Sequence, residues 1–227
     1  MNFKVKFKEE TPPFNVKFGW NNGEFEAGKQ SGPIRYCETL SNVFYGAIFP
    51  EGYGFELRVE KAVPLYMAFR DAKNLKTLKI VANNIVGDEK CEFGYFAMSC
   101  RDLETIDFTQ YNARPSSLDY AFFNDTKLKN ILGVFDCTEC IRFSNTFLYC
   151  ADLEEIRFVE NTIKDVISFE SCKKLSKSST TSVINGLSDT VTGKTATFSK
   201  TAKESAFAAE EWAELIGTKP NWTIALA

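Results

Sequence analysis

Apolar and polar positions along this chain follow two different periods. At the start, Phe3, Val5 and Phe7 alternate with Asn2, Lys4, Lys6 and Lys8. After "EETPP", Phe14, Val16 and Phe18 alternate with Asn15, Lys17 and Gly19. Alternation with period two predicts strands with one apolar face, and Pro12 and Pro13 keep their connection out of either strand. The expected unit is a β-hairpin, too small to be stable without a second surface against its Phe/Val face. The Gly- and Asn-rich stretch "GWNNGEFEAGKQSGP", residues 19–33, reads as a turn-laden linker.

A longer frame takes over from about Leu65. Anchored on leucine, units align at Leu75, Leu103, Leu128, Leu153 and Leu175, with spacings of 28, 25, 25 and 22. Six places earlier stand Phe69, Ala97 (with Phe96 one place early), Phe122, Phe147 and Phe169. Three places earlier stand Ala72, Cys100, Asp125, Cys150 and Cys172. Three and five places later come Leu78 and Ile80, Ile106 and Phe108, Ile131 and Gly133, then Ile156 and Phe158; the fifth unit departs with Ser178 and Thr180. A degenerate first unit, with Cys37 three before Leu40, precedes them.

A period in the twenties with L-x-x-L-x-L character predicts one strand and one return segment per unit, stacked as a leucine-rich-repeat solenoid. Each unit buries its apolar faces only against its neighbours, so the ends need caps. Toward the C-terminus, "SSTTSVINGLSD" has Ser/Thr capping character before a short helix. "TATFS" reads as a strand, "SAFAAEEWAELIG" as a helix stopped at Gly217, and "NWTIAL" as a last strand. The expected class is therefore mainly β with short helices. It divides into a docking hairpin and linker over 1–33, a solenoid over 34–188 and a strand–helix–strand cap over 189–227.

Composition sharpens this picture. Phenylalanine is unusually abundant, 21 of 227 residues against 3 Trp and 3 Met, so aromatic rings must supply much of the packing. A net charge of −3 and a pI near 5.3 give no electrostatic argument for nucleic acid or an anionic membrane. No run approaches the ~18 apolar residues of a membrane span, and the charged N-terminus does not read as a secretory signal. Neither membrane insertion nor signal-driven export is expected.

The chain has seven cysteines and no histidine, which removes the commonest general base and the commonest zinc ligand. An odd cysteine count with irregular gaps does not read as a disulfide framework, so the thiols are expected to be reduced. Cys137-Thr138-Glu139-Cys140 is a lone C-x-x-C without the second pair that zinc needs. It reads as structural, with a redox or metal role as the minor alternative. Cys100, Cys150 and Cys172 read as a packing ladder. Glu154-Glu155 and Glu210-Glu211 read as solvated carboxylates, and "SDTVTGK" lacks phosphate-loop spacing. No catalytic residue, cofactor or metal is expected. The candidate partner-binding residues are Phe3, Val5, Phe7, Phe14, Val16 and Phe18 on the hairpin, and Lys79, Asp107, Glu155 and Arg157 on the outward strand face. That face also carries Thr77, Val81, Thr105, Thr109, Asn130, Leu132 and Val159.

The Phe-x-x-Cys-x-x-Leu-x-x-Ile unit resembles the bacterial surface-protein type of leucine-rich repeat, over roughly residues 65–188. The flanks "NFKVKFKEETPPFNVKFG" and "SVINGLSDTVTGKTATFS…NWTIALA" are similar to those of small tail-associated proteins of phages and prophages of Gram-positive gut bacteria. That resemblance implies a non-enzymatic structural or receptor-facing component of a tail or baseplate, located in the virion after synthesis in the bacterial cytoplasm. The hairpin would dock to other virion proteins, and the solenoid would face a host surface protein or glycan. Analogy adds a homotrimer. The alternatives are a leucine-rich-repeat adhesin or interaction module outside a particle, and, third, a thiol-dependent enzyme using Cys137 or Cys140.

Overall fold

The computed structural model describes residues 15–17, 24–26, 40–61, 63–84 and 91–227. Among them the chain is mainly β with three short helices, and its sheets are parallel except for one small antiparallel pair. That pair is β1 (Asn15–Lys17) and β2 (Glu24–Glu26), with Val16 opposite Phe25. A strand therefore occupies part of the stretch expected as linker, because "EFE" supplies its own short alternation. Phe3, Val5, Phe7, Phe14 and Phe18 lie outside the described residues.

The largest sheet places β3 (Ile48–Lys61), β4 (Lys73–Asn84), β6 (Thr105–Gln110) and β8 (Asn130–Leu132) side by side in chain order, all parallel. β5 (Cys91–Glu92) pairs with β7 (Pro115–Ser117) in a small second sheet. β9 (Ile167–Phe169), β10 (Lys194–Phe198) and β11 (Trp222–Leu226) form a third parallel sheet.

Between strands the chain runs through similar turn segments, opened by the buried residues Leu40, Leu65, Phe93, Leu118 and Phe143. Each segment holds two residues in the left-handed region: Asn42 and Gly46, Met67 and Asp71, Tyr95 and Ser99, Tyr120 and Asn124, Asn145 and Tyr149, with φ from +52° to +68°. For a residue with a Cβ this conformation costs about 1–2 kcal/mol. In the first four segments those same residues donate their N–H to carbonyls of the next segment at 2.8–3.0 Å, for example Tyr95 to Asp119 and Asn124 to Leu148. Intervening residues do likewise, Phe69 to Phe96 and Phe122 to Thr146. The costly turn thus satisfies donors that a relaxed chain would leave unpaired beneath the surface.

This register corrects the expected first unit. Leu40 takes the place of Leu65 and Phe93, not that of Leu75, so Phe44 and Ala47 match Phe69 and Ala72. Cys37 is outside the described residues.

Aromatic rings form a continuous column inside. Centroids lie 4.8 Å apart for Phe44–Phe69, 5.7 Å for Phe69–Phe96, 6.2 Å for Phe96–Phe122 and 5.7 Å for Phe122–Phe147. The column continues at 4.5 Å to Phe169 and 6.0 Å to Phe198, and Trp212 ends it at 5.9 Å, edge-on. Phe96, one place early in sequence, fills the place that Ala97 leaves. Gly133 departs from the apolar frame for a steric reason: at φ +107° a Cβ would meet the Phe108 backbone at 3.0 Å. Phe135 fills the space instead, 5.6 Å from Phe108 and 5.9 Å from Phe158.

The polar ending of the fifth unit has an equally local cause. α1 (Lys177–Gly186), capped by Ser176, replaces a strand there. Its hydroxyls take the place of strand carbonyls: Ile156 N–H donates to Ser179 Oγ at 3.1 Å and Phe158 N–H to Ser182 Oγ at 3.0 Å. The single helix expected over 205–217 is two, α2 (Lys200–Ala206) and α3 (Ala209–Gly217). Phe207 turns extended between them to bury its ring against Trp212 at 5.4 Å. Among the described residues no helix is long and apolar enough to cross a membrane.

Phe147 is fully buried between Phe122 and Phe169. Phe147→Ala should cost about 3–5 kcal/mol, read as a lowered urea midpoint. Exposed Val159→Ala, outside the column, should change it by less than about 0.5 kcal/mol.

Candidate interaction surface

The outward strand residues fall into two rows. Register sets Glu56, Lys79, Asp107 and Leu132 side by side, and Gly54, Thr77, Thr105, Asn130 and Glu155 in the next row. Asp107 is turned to its own chain, where its Oδ1 accepts from the Thr109 N–H at 2.8 Å and from its hydroxyl at 2.5 Å. Glu155 Oε1 accepts from the Ser176 hydroxyl at 3.3 Å, and Arg157 is exposed. Lys79 and Asp107 are thus brought together, while Glu155 lies in the neighbouring row. Val81, expected on this face, is buried together with Ile80 and Ala82, at the place where pairing with β6 shifts register after Lys79.

At the entrance to the strands, charges pair across neighbouring units. Lys127 Nζ lies 2.9 Å from Asp102, Lys174 Nζ 2.6 Å from Asp152, and Glu104 sits between Lys76 and Lys129 at 3.5 and 3.3 Å. The hydrogen bond from Lys127 holds the Asp102 carboxyl below its usual range. These pairs are exposed, and each adds little to stability.

The most distinctive surface lies on the turn segments and escaped the sequence reading. Tyr66 meets Tyr95 edge-on at 5.8 Å, and Tyr95 stacks on Tyr120 at 5.1 Å with planes 3° apart. Tyr120 contacts Phe123 at 5.5 Å, and Phe123 contacts Tyr149 at 5.5 Å. At the other end the Arg70 guanidinium lies over both Tyr45 and Tyr95, at 5.5 and 5.6 Å. Its Nε is 3.3 Å from an Asp71 oxygen, close enough for an ion pair though not aligned as a hydrogen bond. Tyr149 is 54% exposed and the others of the row are half-buried. Tyrosine, methionine and arginine are the residue types enriched where protein partners dock. The signal available in the sequence was an aromatic two or five places after three of the five segments open: Tyr45, Tyr95, Tyr120 and Phe123.

Beneath this surface runs the cysteine column. Cys100 Sγ donates to the Phe69 carbonyl at 2.8 Å and Cys150 Sγ to the Phe122 carbonyl at 2.9 Å, with Cys172 and the Phe147 carbonyl at 3.7 Å. Burial pushes the Cys100, Cys150 and Cys172 thiols up, opposite to the shift that activates a nucleophilic thiol. Asp125 takes the cysteine's place in one unit and is fully buried. Its Oδ1 accepts from the Cys100 N–H at 2.8 Å, while Oδ2 has no protein partner. Burial raises its carboxyl well above the usual range, against the opposing backbone hydrogen bond, so the group prefers its proton.

In the C-terminal part, the buried Lys219 ammonium donates to Asn161 Oδ1 at 2.7 Å and to Asp189 Oδ1 at 3.0 Å. The Trp222 indole N–H donates to the Ser188 carbonyl at 2.8 Å. Among the described residues no group of three or more His, Cys, Asp or Glu is placed to hold a metal ion. No family model matches the chain, and neither a curated protein nor a solved structure matches it.

Asp125 carries a pH signature. Its folded pKa is raised, so the folded state holds the proton more tightly, and this residue's contribution falls as pH rises above the unfolded value of about 3.9. Asp125→Cys, the residue of the neighbouring units, should therefore raise the melting temperature at neutral pH. The gain should shrink toward zero as pH approaches about 4, checked by paired thermal melts across pH.

Proposed function

We propose that the chain is a leucine-rich-repeat solenoid acting as a non-enzymatic, receptor-facing component of a phage or prophage tail or baseplate. The observation that carries the solenoid reading is the translation of one hydrogen-bond pattern from segment to segment: Tyr95 to Asp119 and Tyr120 to Ser144 repeat the same donation 25 residues on. Phe column, parallel register and paired surface charges advance by the same step. Support for the virion reading comes from the resemblance of the repeat and of the two flanks. On this reading the N-terminal strands, β1 with Val16 among them, dock to the particle by strand addition.

The partner-facing surface is the aromatic row on the turn segments, more than the strand face. Lys79, Asp107, Glu155 and Arg157 present scattered charges, whereas the row is contiguous and of hot-spot composition. Its chemistry favours a host surface protein over a glycan, because the stacked pair Tyr95–Tyr120 hides the ring faces on which sugars pack.

Peptide mass spectrometry on purified particles, set against cell-envelope and cytosolic fractions, tests the reading. Stoichiometric recovery in the particle is expected; recovery only with the envelope would favour an adhesin, and recovery only in the cytosol would overturn both. Tyr149→Ala and Tyr120→Ala should each weaken binding to host cells by tenfold or more, about 1.4 kcal/mol or above, at unchanged circular dichroism. Protease treatment of the cells, but not periodate, should abolish binding by the parent chain.

A further inference from the structure

Cys137-Thr138-Glu139-Cys140 reads in the sequence as a structural pair, with a redox or metal role as the minor alternative, and its geometry favours that alternative in its redox form. The four residues form one β-turn, closed by the Cys140 N–H donating to the Cys137 carbonyl at 3.0 Å. A β-turn brings its first and fourth Cα atoms within about 7 Å, overlapping the 4.4–6.8 Å that a disulfide spans. Both cysteines therefore lie within reach of one another across the turn, and both are buried. The Cys140 thiol also reaches the Arg142 carbonyl at 3.4 Å.

The turn is fixed from several sides. Asp136 Oδ1 accepts from both the N–H and the hydroxyl of Thr138, at 3.0 and 2.6 Å, and Arg114 Nε lies 3.2 Å from the other Asp136 oxygen. Lys164 Nζ donates to the Thr138 carbonyl at 2.9 Å, and Ile141 N–H to the Ser116 carbonyl at 3.2 Å. Both thiols are buried, yet only by a thin cover, for Thr138, Glu139, Ile141 and Arg142 are all exposed.

We propose that Cys137 and Cys140 are a reversible redox pair that closes to an intramolecular disulfide across this turn on meeting a small-molecule disulfide such as oxidised glutathione. In the first step the Cys140 thiolate attacks one glutathione sulfur; the glutathione S–S bond breaks and one glutathione leaves as thiolate, taking up the proton. In the second the Cys137 thiolate attacks Cys140 Sγ, the Cys137–Cys140 bond forms, and the second glutathione leaves with the other proton. The two electrons lost by the cysteines are those gained by the glutathione disulfide. The closeness of the two cysteines across the turn sets the equilibrium, and burial sets the rate, because only the thiolate attacks and burial holds the Cys137 thiol up. Closure should therefore be slow and should quicken as pH rises. The inference is independent of the proposed function.

The pair lies on one tryptic peptide, residues 130–142. The full chain is incubated with oxidised glutathione, quenched with an alkylating agent, digested and weighed. The expected peptide is lighter than the dithiol form by two hydrogens, about 2 Da, takes no label, and takes two labels after reduction. Because burial alone could hold closure back, the same readout is applied after refolding from denaturant in a glutathione redox buffer, where the barrier is absent. Two labels on that peptide after refolding would overturn the proposal. So would glutathione retained on one cysteine without closure, or loss of label at Cys150 and Cys172 instead. Cys137→Ser should leave Cys140 as a labelled thiol or a glutathione adduct, and no closed peptide.

Discussion

Each of the first four turn segments described depends on the next one for its hydrogen bonds. A residue such as Tyr95 or Tyr120 sits at a backbone angle that an isolated peptide avoids. What holds it there is the N–H donated across to a carbonyl about one unit further on. A segment without its successor would keep the conformational cost and lose the bond. The arrangement is cooperative by construction, since local strain is offset only by a non-local contact.

The same dependence governs the interior. The phenylalanine column gives each ring one neighbour above and one below, and dispersion between rings 4.5–6.2 Å apart supplies attraction in the direction in which the backbone bonds run. The ends must solve a separate problem, because a last strand has donors and no successor. Here α1 answers with the hydroxyls of Ser179 and Ser182, and the column ends on Trp212. The three-stranded sheet beyond it is fastened by Lys219 and Trp222, whose donors reach Asn161, Asp189 and Ser188. Asp125 is the place where the interior is least comfortable: a carboxyl in a column otherwise filled by Ala and Cys, kept by one backbone bond and by its proton.

These constraints also account for where surface chemistry accumulates. The left-handed positions point side chains outward at a fixed step, so residues such as Tyr95 and Tyr120 fall into register and stack. A contiguous aromatic row is then a by-product of the turn geometry that selection of large side chains turns into a surface. The strand face lacks that advantage, because its outward side chains are of mixed type and some, such as Asp107, are turned to their own chain.

Read alone, the sequence determined the apolar columns. The Phe, Leu and Ile spacing identified buried side chains, and the Ser/Thr run identified a capped short helix, although the cap falls at Ser176, ahead of the run, and the run itself lies within the helix. It also marked Cys100, Cys150 and Cys172 as packing residues. Tertiary structure alone decided the rest. The first unit's register turned on hydrogen bonds from Leu40 and Phe44 to residues of the following segment. Val81 is buried with Ile80 and Ala82 beside the register shift against β6, which no alternation in β4 announces. The two-helix break at Phe207 followed from a ring seeking Trp212. The aromatic row and the turn that brings Cys137 close to Cys140 likewise exist only once the chain has folded. The physical reason is common to all: burial leaves a period in the sequence, whereas register, strain and surface contact are relations between segments, settled only when those segments meet.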